Sequence, residues 1–167
     1  MRLTILTTGG TIDKTYDEFQ GNLRNEQTAI DVILDSLRIP DLDIHHLEVM
    51  HKDSLDMTDQ DREIIADSVC DAAPTSDAIV ILHGTDTLSE TGEHLCEKCA
   101  GLHIPIILTG AMRPYEFRDT DALQNVTEAL LASRMVGAGV YVAMHNRVLK
   151  FPGVIKDREA LTFIRND

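Results

Sequence analysis

The stretch Leu3-Thr4-Ile5-Leu6-Thr7-Thr8-Gly9-Gly10-Thr11-Ile12 sets an aliphatic, β-branched run against a glycine turn. Ala78-Ile79-Val80-Ile81-Leu82-His83-Gly84-Thr85-Asp86-Thr87 repeats the arrangement. Apolar runs this short, closed by glycine, read as buried strands rather than helices. Thr11 and Thr85 therefore stand where strands stop, and in an open α/β sheet that edge is where ligands bind. A glycine beside each threonine permits close backbone approach.

Outward from these turns the chain alternates. Residues 13–25 are polar, contain Gly21, and are long enough to form a mobile lid. Ile30, Ile33, Leu34 and Leu37 recur at helical spacing until Pro40 stops the pattern. Residues 44–50 read as a second strand. A helix begins at Thr58, with Asp61 completing a capping pair and Ile64, Ile65 and Val69 on its buried side. Residues 77–82 are the third strand. Thr87 and Glu90 form a second capping pair, so a helix starts right after Asp86 and runs towards Cys99. Residues 104–108 make strand four, Gly110 the turn after it, and Leu123, Val126, Ala129 and Leu130 mark another helix. Residues 140–144 are strand five. The remainder, 146–167, carries Pro152 and Gly153 and reads as a turn followed by an extended or short helical piece.

Five alternations of strand and helix are the signature of right-handed crossovers and a parallel sheet covered on both faces. The expected class is α/β: a single-domain Rossmann-like or flavodoxin-like three-layer sandwich with a mostly parallel central sheet. A strand order of 2-1-3-4-5 places the strands that end at Thr11 and Thr85 side by side. Ser54 follows strand two and Ala111 follows strand four, so four loops converge on one edge.

Composition sets bounds. The 167 residues, 43% of them hydrophobic, suit one domain spanning 1–167 with a single substantial core. A formal charge of −13 argues against nucleic acid or an anionic membrane as partner, because phosphate contacts need clustered Lys and Arg. Residues 1–12 are too short for a secretory apolar region, and no run approaches a membrane span. Cys70, Cys96 and Cys99 are odd in number, which fits a reducing cytoplasm better than a disulfide scaffold. Cys96-Glu97-Lys98-Cys99, with His94 nearby, lacks a second Cys-x-x-Cys, so neither a metal nor another cofactor is expected. His83 reads as a turn donor rather than a base.

Each candidate taken singly has a plainer reading. Thr11 alone is more often a turn residue bonding its own backbone, and Thr85 with Asp86 more often satisfies free N–H groups at a helix start. Ser54 alone caps a turn, and Lys156 alone is an exposed lysine. Their order and their placement at strand ends reverse those odds.

Together Thr7-Thr8-Gly9-Gly10-Thr11-Ile12 and His83-Gly84-Thr85-Asp86-Thr87 resemble the two signature segments of the bacterial-type L-asparaginase and glutaminase family. The likeness continues through Lys52-Asp53-Ser54-Leu55-Asp56-Met57, Thr109-Gly110-Ala111-Met112-Arg113-Pro114 and Lys156. Five ordered matches are far more specific than one Gly-Gly-Thr. The resemblance is to the amino-terminal domain, with no carboxyl-terminal domain in the sequence. It implies a catalytic domain that hydrolyses the side-chain amide of L-asparagine, with glutamine a poorer substrate, in a homo-oligomer (dimer or tetramer).

The resemblance also implies roles. Thr11 attacks the amide to give an acyl-enzyme, and Thr85, Lys156 and Asp86 handle the proton. A threonine hydroxyl is a weak nucleophile and needs such help. Tyr16 closes over the reacting threonine from the lid. Ser54 takes the α-carboxylate, Asp86 the α-ammonium, and the Ala111 carbonyl the departing nitrogen. Backbone N–H groups at Gly10-Thr11 and Gly84-Thr85 hold the oxyanion, aided by the positive end of the helix after Asp86. Leu55 stands where many members carry a glutamine for the amino group, and their second domain adds an acidic residue there. Weaker substrate binding with a preserved chemical step is the expectation. Two rivals from other classes are a non-catalytic amino-acid-binding or regulatory module, and a nucleotide-binding domain using Thr8-Gly9-Gly10-Thr11 as a phosphate loop. The second lacks Gly-Lys-Ser/Thr and Gly-x-Gly-x-x-Gly.

Overall fold

Strand residues whose side chains alternate between two apolar surroundings organise the chain. In the computed structural model, which describes residues 1–25 and 28–165, Ala78–Leu82 is buried at every position. Ile79 and Ile81 enter one core with Leu6, Ile65, Val69, Leu88 and Leu95. Ala78, Val80 and Leu82 enter another with Leu3, Ile5, Ile33, Val126 and Ala129. The period of two gives the strand a different apolar partner on each face, which is why its sequence is continuously aliphatic. Each such fully buried Ile, Leu or Val contributes about 1.5–3 kcal/mol relative to exposure.

In chain order the elements are β1 (Arg2–Gly9), β2 (Lys14–Asp17), β3 (Asn22–Asn25), α1 (Ile30–Ser36), β4 (Asp43–Lys52), α2 (Asp59–Ala72) and β5 (Ala78–Leu82). There follow α3 (Leu88–Lys98), β6 (Pro105–Thr109), α4 (Ala122–Met135), β7 (Gly139–Met144), β8 (Arg147–Lys150), β9 (Val154–Asp157) and β10 (Thr162–Arg165). A six-stranded sheet has the order β4-β1-β5-β6-β7-β8, with β8 antiparallel to β7 and the other pairings parallel. The parallel strands thus lie second, first, third, fourth, fifth, as the alternation predicts. The fold is α/β with a mostly parallel central sheet; α2 and α3 cover one face, α1 and α4 the other.

The start of α2 carries the expected capping box: the Asp61 N–H donates to the Thr58 hydroxyl, and the Thr58 N–H returns a bond to the Asp61 carboxylate. The pair proposed for α3 does not form. The Thr87 hydroxyl donates to the Ser54 carbonyl at 2.8 Å, and Glu90 is drawn to the Arg62 guanidinium at 2.6 Å. Tertiary partners outcompete the local cap. Ile64 and Leu123, expected inside, are 44% and 40% exposed, because their neighbours Ile65 and Val126 already fill the stripe facing the sheet.

Two segments take forms their sequences left open. Within residues 13–25, Lys14–Asp17 and Asn22–Asn25 pair as the β2–β3 hairpin, with Tyr16 opposite Leu23. The tail forms β8 and then the β9–β10 hairpin, in which Lys156 pairs with Phe163; the last two residues of the tail lie outside the described ones. Phe163 is buried in the α2/α3 core and fixes that hairpin.

Candidate active site

Glycine contacts bring the loops together. A Cβ on Gly10 would lie 2.5 Å from Gly84 Cα, and one on Gly84 would lie 2.6 Å from Ser54 Oγ. On Gly110 it would fall 2.3 Å from the His83 carbonyl and 3.4 Å from Thr85 Cγ2. The loops after β1, β4, β5 and β6 are therefore in close contact, and any side chain at these three positions would separate them. Gly10 also has φ 89°, a left-handed conformation that glycine adopts without steric cost.

Thr11 opens a short 3-10 turn, Thr11–Asp13, anchored by the buried Asp13, which accepts from Ala29 N at 2.8 Å and from the Thr28 hydroxyl at 3.0 Å. Burial pushes the Asp13 carboxyl above its ordinary range despite those two donors. The Ile12 carbonyl accepts from Tyr115 N, tying this turn to the loop beyond Ala111. Among the described residues the Thr11 hydroxyl has no hydrogen-bond partner. Gly10 N–H already donates to the Lys52 carbonyl at 3.0 Å, so it is not the free oxyanion donor the sequence led us to expect.

Lys156 reaches the second turn from β9. Its ammonium donates to Thr85 Oγ1 at 2.8 Å and to Asp86 Oδ1 at 2.9 Å, with its side chain only 12% exposed. The reach depends on Gly92 in the middle of α3. A Cβ there would lie 2.2 Å from the Phe151 ring, so the glycine opens a seat for Phe151, and Gly153 N then donates to Glu93 at 2.7 Å. Those two contacts hold the β8–β9 link against α3 and carry Lys156 to Asp86.

Ser54 is buried against Gly84, and Leu55 beside it is 68% exposed. The loop bearing Ala111 is pinned by Asp121, which accepts from Met112 N and Arg113 N at 3.0 Å and from His145 Nε2 at 2.7 Å. Burial alone would raise the Asp121 pKa, but these donors hold it below the ordinary carboxylate range. Asn125, fully buried, adds a bond from Nδ2 to the Gly110 carbonyl at 2.9 Å. His83 is buried as well. Its Nδ1 donates to the Gly84 carbonyl and its Nε2 accepts from the Thr91 hydroxyl, both at 2.8 Å. Burial pulls its pKa down to about 4, so it is a neutral turn donor.

Tyr16 is not drawn onto the threonines. It is 60% exposed, a Cβ on Gly21 would lie 3.9 Å from its hydroxyl, and its N–H donates to Glu116 at 3.0 Å. The three thiols are free, with Cys70 and Cys99 sulfurs 3.9 Å apart between α2 and the end of α3. Sequence reasoning missed Gly92, Asp121, Asn125 and Arg158. A lone glycine inside a helical pattern was the available signal for the first.

A family model described as Asparaginase, N-terminal, matches residues 2–158. The chain belongs to the asparaginase family. An L-asparaginase of Thermococcus kodakarensis is 33% identical over 151 residues, covering 89% of this chain and 45% of that protein. A probable periplasmic L-asparaginase of Haemophilus influenzae is 32% identical, covering 92% and 46%. The asparaginase family also reaches other chemistry: one component of a glutamyl-tRNA(Gln) amidotransferase from Methanobrevibacter smithii is 31% identical over 86% of this chain and 33% of its own length. The chain spans about half the length of the asparaginases it matches. Among solved structures, the thermostable L-asparaginase of T. kodakarensis superposes with a TM-score of 0.85 at 31% identity, over 99% of this chain and 51% of that one. A probable cytoplasmic L-asparaginase of Campylobacter jejuni gives 0.73 at 28%, over 97% and 50%. Family membership supports amidohydrolase chemistry, and no helix among the described residues is long and apolar enough to cross a membrane.

Proposed function

We propose that this chain is the amino-terminal-type catalytic unit of an L-asparaginase, built as a flavodoxin-like three-layer sandwich and working in the cytoplasm as a homo-oligomer. The observation that carries the reading is Lys156, bonded at once to the Thr85 hydroxyl and the Asp86 carboxylate beside the Gly10–Gly84 contact.

In this account the Thr11 hydroxyl attacks the side-chain amide carbon and gives up its proton. Thr85 and Lys156 relay it to the departing nitrogen, and ammonia leaves as the acyl-enzyme ester forms. Water activated by the same relay then attacks the ester, releasing aspartate and restoring Thr11. The N–H groups of Thr11 and Thr85 face the developing oxyanion, each such donor being worth about 3–4 kcal/mol where one has been removed elsewhere. Ser54 receives the α-carboxylate, with Leu55 and Gly84 lining the site, and the Ala111 carbonyl orients the leaving nitrogen. Tyr16 excludes water when substrate is in place.

The amidotransferase relative favours a second reading, in which ammonia freed at the same site passes to a partner. Ammonia release from asparagine and glutamine by wild type, Thr11→Ala and Lys156→Met tests the proposal. Release by wild type alone supports it; equal rates in all three overturn it.

A further inference from the structure

Asp86 already carries two cations. Oδ1 accepts from Lys156 Nζ at 2.9 Å and also from Arg158 Nη1 at 3.1 Å. Lys156 lies within β9 and Arg158 in the turn just after it, and both reach the same carboxylate oxygen. They differ in burial: the Lys156 side chain is 12% exposed and the Arg158 side chain 69%. Lys156 is thus the inner cation and Arg158 the outer one, at the mouth. Only one of the guanidinium's five N–H donors is engaged among the described residues. Of the neighbouring residues after β4, Ser54 is buried and Leu55 exposed, and neither brings a charge.

A substrate ammonium arriving at Asp86 would have to displace Arg158 or sit beside it as a like charge, and Leu55 offers it no acceptor. A carboxylate or an acyl carbonyl at the same position gains hydrogen bonds from the open guanidinium edge. We infer that Arg158 is a specificity-determining residue that turns this site toward carboxylate-bearing primary amides lacking an α-ammonium. Their α-nitrogen is either acylated, as in an N-acyl asparagine, or absent, as in the monoamide of a four-carbon dicarboxylic acid. This rests on the amidohydrolase reading above and selects its substrate class.

The experiment compares kcat and KM for L-asparagine, N-acetyl-L-asparagine and succinamate in wild type, Arg158→Met and Arg158→Lys. Wild type should favour at least one amine-free amide over asparagine by about five- to tenfold in kcat/KM. Arg158→Met should erase that preference through KM, raising it for the amine-free amides and lowering it for asparagine, and Arg158→Lys should restore part of it. N-acetyl-L-asparagine in front identifies the acylated class, with Leu55 against the acyl group; succinamate in front identifies the deaminated one. Asparagine preferred by wild type, with the same ratio in Arg158→Met, overturns the inference and leaves the amidohydrolase reading standing. No ammonia from any amide overturns both.

Discussion

Gly10 and Gly84 touch through their backbones, with room for nothing larger: a Cβ on Gly10 would stand 2.5 Å from both the Cα and the N of Gly84. The contact joins the loop after β1 to the loop after β5, the two loops that carry Thr11 and Thr85. Gly10→Ala therefore combines a left-handed φ of 89° with a backbone clash. We expect a loss of about 1–3 kcal/mol of stability and a larger loss of ammonia release. Urea unfolding beside an activity assay checks it; wild-type activity in this variant would mean that the two turns need not meet.

Lys156→Met removes the ammonium and keeps the stem. Asp86 retains Arg158, so the fold should melt within a few degrees of wild type, while kcat falls by about 10²–10⁴ as expected for a lost proton-handling group. A fall in melting temperature that accounts for the activity loss would assign Lys156 a structural part only.

Gly92→Ala tests the route by which Lys156 arrives. The new methyl meets the Phe151 ring at 2.2 Å, so the β8–β9 link must shift although alanine is the better helix former. Both stability and kcat should drop, while the same change at exposed Gly101, where a Cβ has nothing within 4 Å, should leave kcat untouched. Equal effects at the two glycines would separate Phe151 from the placement of Lys156.

His83 makes stability depend on pH. Its folded pKa of about 4 lies below the ordinary 6.5, so protons bind the unfolded chain first as pH falls. Its contribution is complete above about pH 6.5 and is lost progressively towards pH 4, amounting to about 3 kcal/mol across that window. Asp13, raised by burial, works in the opposite direction, so the comparison is between wild type and His83→Gln. Urea unfolding at pH 7 and pH 4.5 should show a steeper decline for wild type; parallel declines would place a charged imidazole inside the fold.

Much of this arrangement is legible in the chain itself. The aliphatic runs at β1 and β5 announce strands buried on both faces, and the alternation with helices orders the sheet. What escapes is whatever long-range chemistry decides. Thr87 and Glu90 have the spacing of a cap, yet Ser54 and Arg62, far away in sequence, bind them instead. The polar run after Thr11 looks like a loose lid, but Lys14 bonding Asp53 and Glu116 holding the Tyr16 N–H tie down a hairpin. Arg158 resembles any surface arginine until Asp86 is seen within reach.

A covalent ester on Thr11 is the centre of the account, and hydroxylamine tests it most directly, because it competes with water for an acyl-enzyme. With asparagine as substrate, wild type should form the aspartyl hydroxamate at the expense of aspartate while ammonia release continues undiminished, and Thr11→Ala should form none. Ammonia release without hydroxamate, or hydroxamate formed by Thr11→Ala, would contradict it.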